Sequence, residues 1–278
     1  MKKILHPTDF SEQMLPAFEY CVEFARKVYG NIVLMHVNPM LESMDVPFGY
    51  IHINQDTFEQ IARERYQELR TEIQRIDPSI PSKMVTTLGG VVPEIIRTAE
   101  DEEVDLILMG TNGADGIKRW LGTNSSQVMN LSHCPILIIP LGYAFKGIQK
   151  IAYASNYLEE DEDILKEVAS LAGFLEAELH IVHIAPEAAS NYEIYKFSWF
   201  EEKIKQRVPE LKPLAVQYEF LNHPNPHRAL NEFVVLNEMD LLVMTRNKRN
   251  LLQQFFQRSQ TQEMSLDSMV PLLVYHQE

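Results

Sequence analysis

Short, almost continuous apolar runs recur along the chain, and between them lie longer stretches in which apolar residues return every three or four positions. Runs such as Ile4-Leu5, Ile32 to Val37, Asp105 to Met109 and Pro135 to Ile138 are too short for helices and are not alternating, which predicts strands covered on both faces. Lys83 to Leu88 is a weaker strand candidate. The intervening pattern predicts helices over Met14 to Tyr29, ended by Gly30 as a C-cap, and over Asn54 to Ile76, ended before Asp77-Pro78. A third fits Pro93 to Glu102, with proline in its first turn, and a fourth starts from Gln127. Strands alternating with helices imply a mostly parallel sheet with right-handed crossovers and helices on both faces.

The same order then occurs a second time. Ile4-Leu5-His6-Pro7-Thr8-Asp9-Phe10 matches Ile151-Ala152-Tyr153-Ala154-Ser155-Asn156-Tyr157 at an offset of 147, and Ile32 to Val37 matches Leu179 to Ile184 at the same offset. Asp105 to Met109 matches Asp240 to Met244 at 135, and Pro135 to Ile138 matches Pro271 to Val274 at 136. Four matched segments in one order predict two tandem Rossmann-like α/β domains, each an open, mostly parallel five-stranded sheet. The boundary is placed at 1–145 and 146–278, where Gly142 and Gly147 bracket a short connection. Ile136 to Ile139 and Leu272 to Tyr275 would each end a sheet as an apolar edge, so the two repeats are expected to pair there about a pseudo-two-fold axis.

Composition narrows the functional classes. A formal net charge of -14 repels polyphosphate, and no cluster of Lys and Arg among aromatics offsets it, so nucleic acid is not an expected partner. No apolar run approaches the roughly 18 residues of a membrane span, and the apolar start of the chain is broken at once by His6-Pro7-Thr8-Asp9. Cys21 and Cys134 have no ligand or redox spacing. The expectation is a cytoplasmic protein with reduced thiols.

In a doubly wound sheet, ligands bind beyond the carboxyl ends of the strands where strand order reverses. Two loops therefore carry the candidate chemistry. Pro7-Thr8-Asp9-Phe10-Ser11 follows strand one, and Gly110-Thr111-Asn112-Gly113 follows strand four, continuing to Gly122-Thr123-Asn124-Ser125-Ser126 ahead of a helix. Glycine permits close backbone approach to a phosphate, and a helix N-terminus offers unpaired N–H groups, although Thr123 or Asn124 would equally serve as a plain cap. Asp9 suits either a ribose or adenine contact or a helix cap, with Ser11 better placed for the latter. Neither a Walker A motif nor a Gly-x-Gly-x-x-Gly fingerprint is present. Lys118 and Arg119 could reach a phosphate but read first as solvated surface, and His6, His36 and His183 read as satisfied core histidines rather than metal ligands and are assigned no chemistry.

Ile4 to Ser11, the Asp105 to Gly110 strand end and a pattern close to Gly-x2-Gly-x9-Gly-Ser/Thr together resemble the universal stress protein family in its tandem form. The resemblance covers nearly the whole chain and implies an adenine-nucleotide alpha hydrolase-like fold. It implies ATP, with or without Mg2+, as ligand of the first repeat: Asp9 and Val37 beside the adenosine, with Thr8 among the binding residues, Met109, Gly110, Asn112 and Gly113 along the adjacent loop, and Gly122, Thr123, Asn124 and Ser125 around the phosphates. One departure stands out, since Ala114 to Leu121 makes the second glycine gap eight residues rather than nine. In the second repeat Thr245, Lys248 and Arg258 replace the three glycines and Asn156 replaces Asp9, so nucleotide is expected in the first repeat alone. No nucleophile–base pair or carboxylate cluster supports an enzyme, and any ATP hydrolysis is expected to be slow and incidental. The expected role is a stress-response regulator or scaffold that also forms homodimers, and the competing reading is a scaffold in which neither repeat binds nucleotide. The stretches 41–54 and 186–200 stand apart as long excursions with exposed aromatics, Asp45 to His52 and Ser190 to Phe200, of a kind that often carries function.

Overall fold

The computed structural model describes residues 2–38, 55–111, 123–155, 161–185, 191–245 and 270–276. In the first half, strands β1 (Lys3–Pro7), β2 (Asn31–Asn38), β3 (Ser82–Leu88), β4 (Leu106–Gly110) and β5 (Ile136–Ile139) alternate with helices α1 (Leu15–Val28), α2 (Gln55–Ile76), α3 (Val91–Asp101) and α4 (Thr123–Leu131). The second half contributes β6 (Lys150–Ala154), α5 (Asp161–Leu175), β7 (Glu178–Ala185), α6 (Asn191–Arg207), β8 (Val216–Asn222), α7 (Pro226–Leu236), β9 (Leu241–Thr245) and β10 (Leu272–Tyr275). Each half is a parallel five-stranded unit, and the two join into one ten-stranded sheet in the order β3-β2-β1-β4-β5-β10-β9-β6-β7-β8.

Among the described residues, the seam between the halves is the one antiparallel pair in that sheet. Leu272, Leu273 and Val274 stand opposite Ile138, Leu137 and Ile136, the pairing expected of two apolar edges that would otherwise be exposed. Because each half is parallel within itself, the seam makes the strands of the two halves run in opposite directions. The two strand-order reversals, at β1/β4 and at β6/β9, therefore open toward opposite ends of the strands.

Alternate residues of each strand enter two cores. Ile4, Leu34, Leu108, Leu137 and Ile139 lie under α1 and α2, continuous with the matching layer under α5 and α6. Leu5, Met35, Ile107, Ile136 and Ile138 face the opposite side, where α3, α4 and α7 pack. Burial on both faces is why the strands read as unbroken apolar runs.

The halves repeat each other down to individual hydrogen bonds. Asp105 accepts from the Lys3 amide at 2.6 Å, and Asp240 accepts from the Gln149 and Lys150 amides at 2.8 and 3.0 Å. Each aspartate thus fastens the start of strand four to the start of strand one in its half. Tyr29 and Glu176 both take left-handed φ, 53° and 55°, at the end of the first helix of their halves. The sequence pattern assigns that cap to Gly30, but the residue turning the chain is Tyr29. Gly30 is small for another reason: a Cβ there would sit 2.9 Å from the Lys2 carbonyl oxygen. The connection between the halves turns at Gly142 and Gly147, with φ of 73° and 91°, and Phe145 packs edge-on against buried Tyr20 at 4.9 Å.

Candidate functional site

The first crevice is assembled where β1 stands between β2 and β4. Parallel registers Pro7↔Met35 and Leu5↔Ile107 bring the exits of these strands side by side, so Thr8, Val37, Met109 and Gly110 gather at one end of the sheet. The Thr8 amide donates to the Met35 carbonyl at 2.8 Å, and the His36 Nδ1–H donates to the Thr8 carbonyl at 2.9 Å. Thr8 is buried, and its Oγ1 accepts from the Phe10 amide at 3.0 Å. Phe10 holds φ at 60° and lays its ring on His36, with centroids 4.6 Å apart. This side of the crevice is held by the backbone before any ligand arrives.

Asp9 is exposed, and its Oδ1 accepts from the Ser11 amide at 2.9 Å, so the carboxylate shapes the turn into α1. Ser11 precedes the 3-10 turn Glu12–Met14 but makes no side-chain cap bond, contrary to the better-cap expectation. The chain tightens into that turn by the Met14 amide donating to the Ser11 carbonyl at 3.0 Å, which leaves the hydroxyl out of the capping geometry. A cavity of about 240 Å³ opens beneath, lined by Thr8, Phe10, Ser11, Met14, Phe18 and Leu69.

Across the crevice, Met109 and Gly110 are buried at the end of β4, and Val37 is partly exposed at the end of β2. Helix α4 begins at Thr123, earlier than the expected start at Gln127. Apolar periodicity misses a polar first turn, and Thr123 and Asn124 lie inside that turn rather than capping it from outside. Their amides belong to the first four of the helix, which have no partner within it. Ser125 is buried and its Oγ donates to the Gly110 carbonyl at 3.2 Å, tying the start of α4 to the end of β4. Asn112, Gly113, Gly122, Lys118 and Arg119 lie outside the described residues.

Gly110 has a packing reason for lacking a side chain. A Cβ there would come within 2.9 Å of the Ala17 Cβ and 3.1 Å of the Met14 methyl, so the glycine lets α1 lie close on β4. In the second half Thr245 occupies this position and is buried.

The second crevice keeps the frame and changes the lining. The Ser155 amide donates to the Val182 carbonyl at 2.9 Å, and His183 Nδ1–H donates to the Ser155 carbonyl at 3.1 Å, as at Thr8 and His36. Phe220 stacks on His183 with centroids 5.8 Å apart, and Phe197 stands 5.3 Å from Phe220. Asn156, Lys248 and Arg258 lie outside the described residues.

Of the three histidines read as satisfied core groups, only His6 is in the core, with its Nε2 unpartnered, while His36 and His183 are half-buried. His6 is fully buried, its Nδ1–H donates to the Leu108 carbonyl at 3.0 Å, and burial pushes its pKa down to about 4. Burial likewise raises the Cys21 thiol, and both cysteines are free. Among the described residues there is no group of three or more His, Cys, Asp or Glu that could hold a metal ion. No described helix is long and apolar enough to cross a membrane. Sequence reasoning missed the His36–Thr8 and His183–Ser155 ties, although the two histidines recur at one repeat offset.

Compared with known families, residues 1–140 and residues 147–276 each match the model of the Universal stress protein family. The chain belongs to the universal stress protein family. Universal stress protein MJ0531 of Methanocaldococcus jannaschii is 28% identical over 141 residues, 50% of this chain and 81% of that protein. Universal stress protein MJ0577 of the same organism is 28% identical over 154 residues, 50% of this chain and 94% of that protein. The crystal structure of a universal stress protein from Archaeoglobus fulgidus DSM 4304 superposes with a TM-score of 0.71 at 21% identity, covering 99% of this chain and 96% of that one. That last likeness shows that both halves of this universal stress protein adopt a known tandem fold.

Proposed function

We propose that this universal stress protein binds ATP in the crevice of its first repeat, one nucleotide per chain, and acts as a nucleotide-responsive regulator or scaffold rather than as an enzyme. The observation that carries the reading is the convergence of Thr8, Asp9, Val37, Met109, Gly110 and Ser125 on one strand-order reversal, beside the first turn of α4. Strand exits at such a reversal form a crevice for a nucleotide, and the first-turn amides of α4 offer donors to phosphate. Asp9 and Val37 would flank the adenosine, Met109, Gly110, Asn112 and Gly113 the adjoining loop, and Gly122, Thr123, Asn124 and Ser125 the phosphates. Any Mg2+ would then arrive with the phosphates. The second repeat, with Thr245, Lys248 and Arg258 in place of glycines, would stay empty, because bulky side chains keep backbone donors from coming within about 3 Å of a phosphate oxygen.

One observation favours the competing reading of a nucleotide-free scaffold: packing against α1 already accounts for Gly110, without any ligand. Mass spectrometry of material released from freshly purified protein, followed by calorimetric titration with ATP, separates the two. The ATP reading expects released adenine nucleotide and a stoichiometry near one, with Gly113→Val weakening binding about ten-fold or more through loss of close backbone approach. A stoichiometry near two, or no binding, or a Gly113→Val titration like that of the parent, would overturn it.

A further inference from the structure

Each half lays its second helix beside the start of its first, and the two halves join these helices differently. Helices α1 and α5 correspond at the offset of 147 that also relates Tyr29 to Glu176, so Leu15 answers to Glu162. Helices α2 and α6 correspond through the buried pairs Leu69 and Phe200, and Ile73 and Ile204. In the second half Glu162 ties the helices together, accepting from Lys203 at 3.1 Å and from Arg207 at 3.0 and 3.2 Å. Leu15 can form no such tie. Among the described residues, every ion pair of α1 or α2 stays within one helix. Helix α2 also carries Glu68 and Leu69 where α6 carries the larger Trp199 and Phe200.

Between α1 and α2 lies the cavity of about 240 Å³ beneath the turn Thr8 to Ser11. Phe10, Met14, Leu15, Phe18 and Leu69 give it an apolar wall. It lies on the opposite side of the sheet from the nucleotide loops. Met14, Phe18 and Leu69 belong to the core layer under α1 and α2, whereas Val37 and Met109 belong to the layer facing α3 and α4. Two features restrict what can fill it. Arg65 and Glu68 line it as a mutual ion pair of 2.9 Å, so this pair leaves no cation over for an anionic ligand. Ser11 lines it too, and its Oγ is closed to solvent without a hydrogen-bond partner. A hydroxyl left in that state is destabilising, and a ligand able to bond to it relieves the cost.

We infer that this cavity binds a small neutral molecule of the phenol class, its ring among Phe10, Met14, Phe18 and Leu69 and its hydroxyl on Ser11 Oγ. Size sets the first limit: an apolar cavity of about 150 Å³ holds benzene, so about 240 Å³ admits a single ring with about two or three further atoms. The wall sets the second. Two phenyl rings and a thioether make their best contacts with another aromatic ring, through edge-to-face and sulfur–ring packing. The lone unpaired hydroxyl sets the third, because it rewards one polar atom on the ligand and no more. This site goes beyond the ATP reading and does not rest on it, although Thr8 borders both.

The test is a ligand-observed NMR titration of the intact protein with p-cresol, toluene and benzylamine. The expected result is saturable binding of p-cresol, about five-fold or more tighter than that of toluene or benzylamine. Ser11→Ala should bring p-cresol down to the level of toluene and leave toluene where it was. Glu68→Trp/Leu69→Phe, which copies Trp199 and Phe200 into the first half, should fill the space and weaken p-cresol and toluene alike, by about ten-fold or more. Ser11→Ala removes only an unpaired hydroxyl, so it decides the matter even if the double variant fails to fold. Absence of saturable binding, p-cresol no tighter than toluene, benzylamine tighter than p-cresol, or a p-cresol affinity that Ser11→Ala leaves unchanged would each overturn the inference. ATP is titrated separately, and its failure to bind leaves the p-cresol result unaffected.

Discussion

The two halves share a frame and differ in what they set into it. Both order their strands in the same way, fasten strand four to strand one through an aspartate, and hang a histidine ring on the carbonyl of the first strand exit. Yet at the end of strand four the first half has Gly110 with α1 laid close upon it, and the second has buried Thr245. At the second helix, the first half has an exposed Arg65–Glu68 pair where the second has the exposed rings of Tyr192, Tyr195 and Trp199. A duplicated fold keeps the contacts that hold backbone to backbone, and lets the side chains around the crevice and on the outer helices diverge. The lesson is that the conserved hydrogen bonds report the fold, and the differences between copies report the division of labour.

The comparison breaks most severely at the seam. Leu273 and Leu137 face each other on adjoining strands, each essentially without solvent contact. Leu273→Asp places an unpaired charge in the middle of the ten-stranded sheet and is expected to cost about 4 kcal/mol or more. Urea unfolding followed by tryptophan fluorescence and by circular dichroism should then lose its single transition if the halves depend on each other. Coincident curves with an unchanged midpoint would mean that the seam contributes little.

A smaller effect separates the halves by pH. His6 is wholly buried in the first half, and the position 147 residues later is Tyr153. The folded pKa of His6 is pushed down to about 4 by burial, so the unfolded chain takes up the proton first as pH falls. The stabilising contribution is complete above the unfolded value of about 6.5 and drains away as pH falls toward 4, by about 3 kcal/mol in all. Denaturant midpoints measured across that window should fall with pH in the parent and fall less in His6→Gln. Parallel pH profiles for the two proteins would rule out His6 as the source.

The gentlest test exchanges one residue between the halves. Gly110→Thr copies the second half into the first and forces a Cβ against Ala17 and Met14, with an expected cost of about 2 kcal/mol. Thr245→Gly, the reverse exchange, meets no such obstruction and should cost about 1 kcal/mol through backbone freedom. Equal shifts in the two denaturant midpoints would mean that the close seat of α1 on β4 does not depend on glycine.

Much of this architecture can be read from the residues one after another. The apolar runs, their two-fold recurrence at constant offsets, the number of strands and the pairing of the apolar edges follow from local periodicity and from the cost of leaving such an edge uncovered. The placing of Thr8, Met109 and Gly110 at strand exits of the candidate site is legible in the same way, whereas the sequence pattern starts the helix that holds Ser125 only at Gln127. The remainder depends on distances between residues far apart in the chain. That Gly110 is small because of Ala17, that Ser125 bonds to strand β4, and that Asp9 serves its own turn are facts of neighbours about which no window of sequence contains information. The aromatics of 190–200 read as exposed in the sequence, which holds for Tyr192, Tyr195 and Trp199 but not for Phe200, and the helix that carries them is not legible there. Only the packed helix, with Phe200 and Ile204 on its buried side, decides which of these rings face water. Sequence determines which residues seek burial, and the tertiary structure decides which of them obtain it, because a helix has one inner face and the sheet beneath it has finite area.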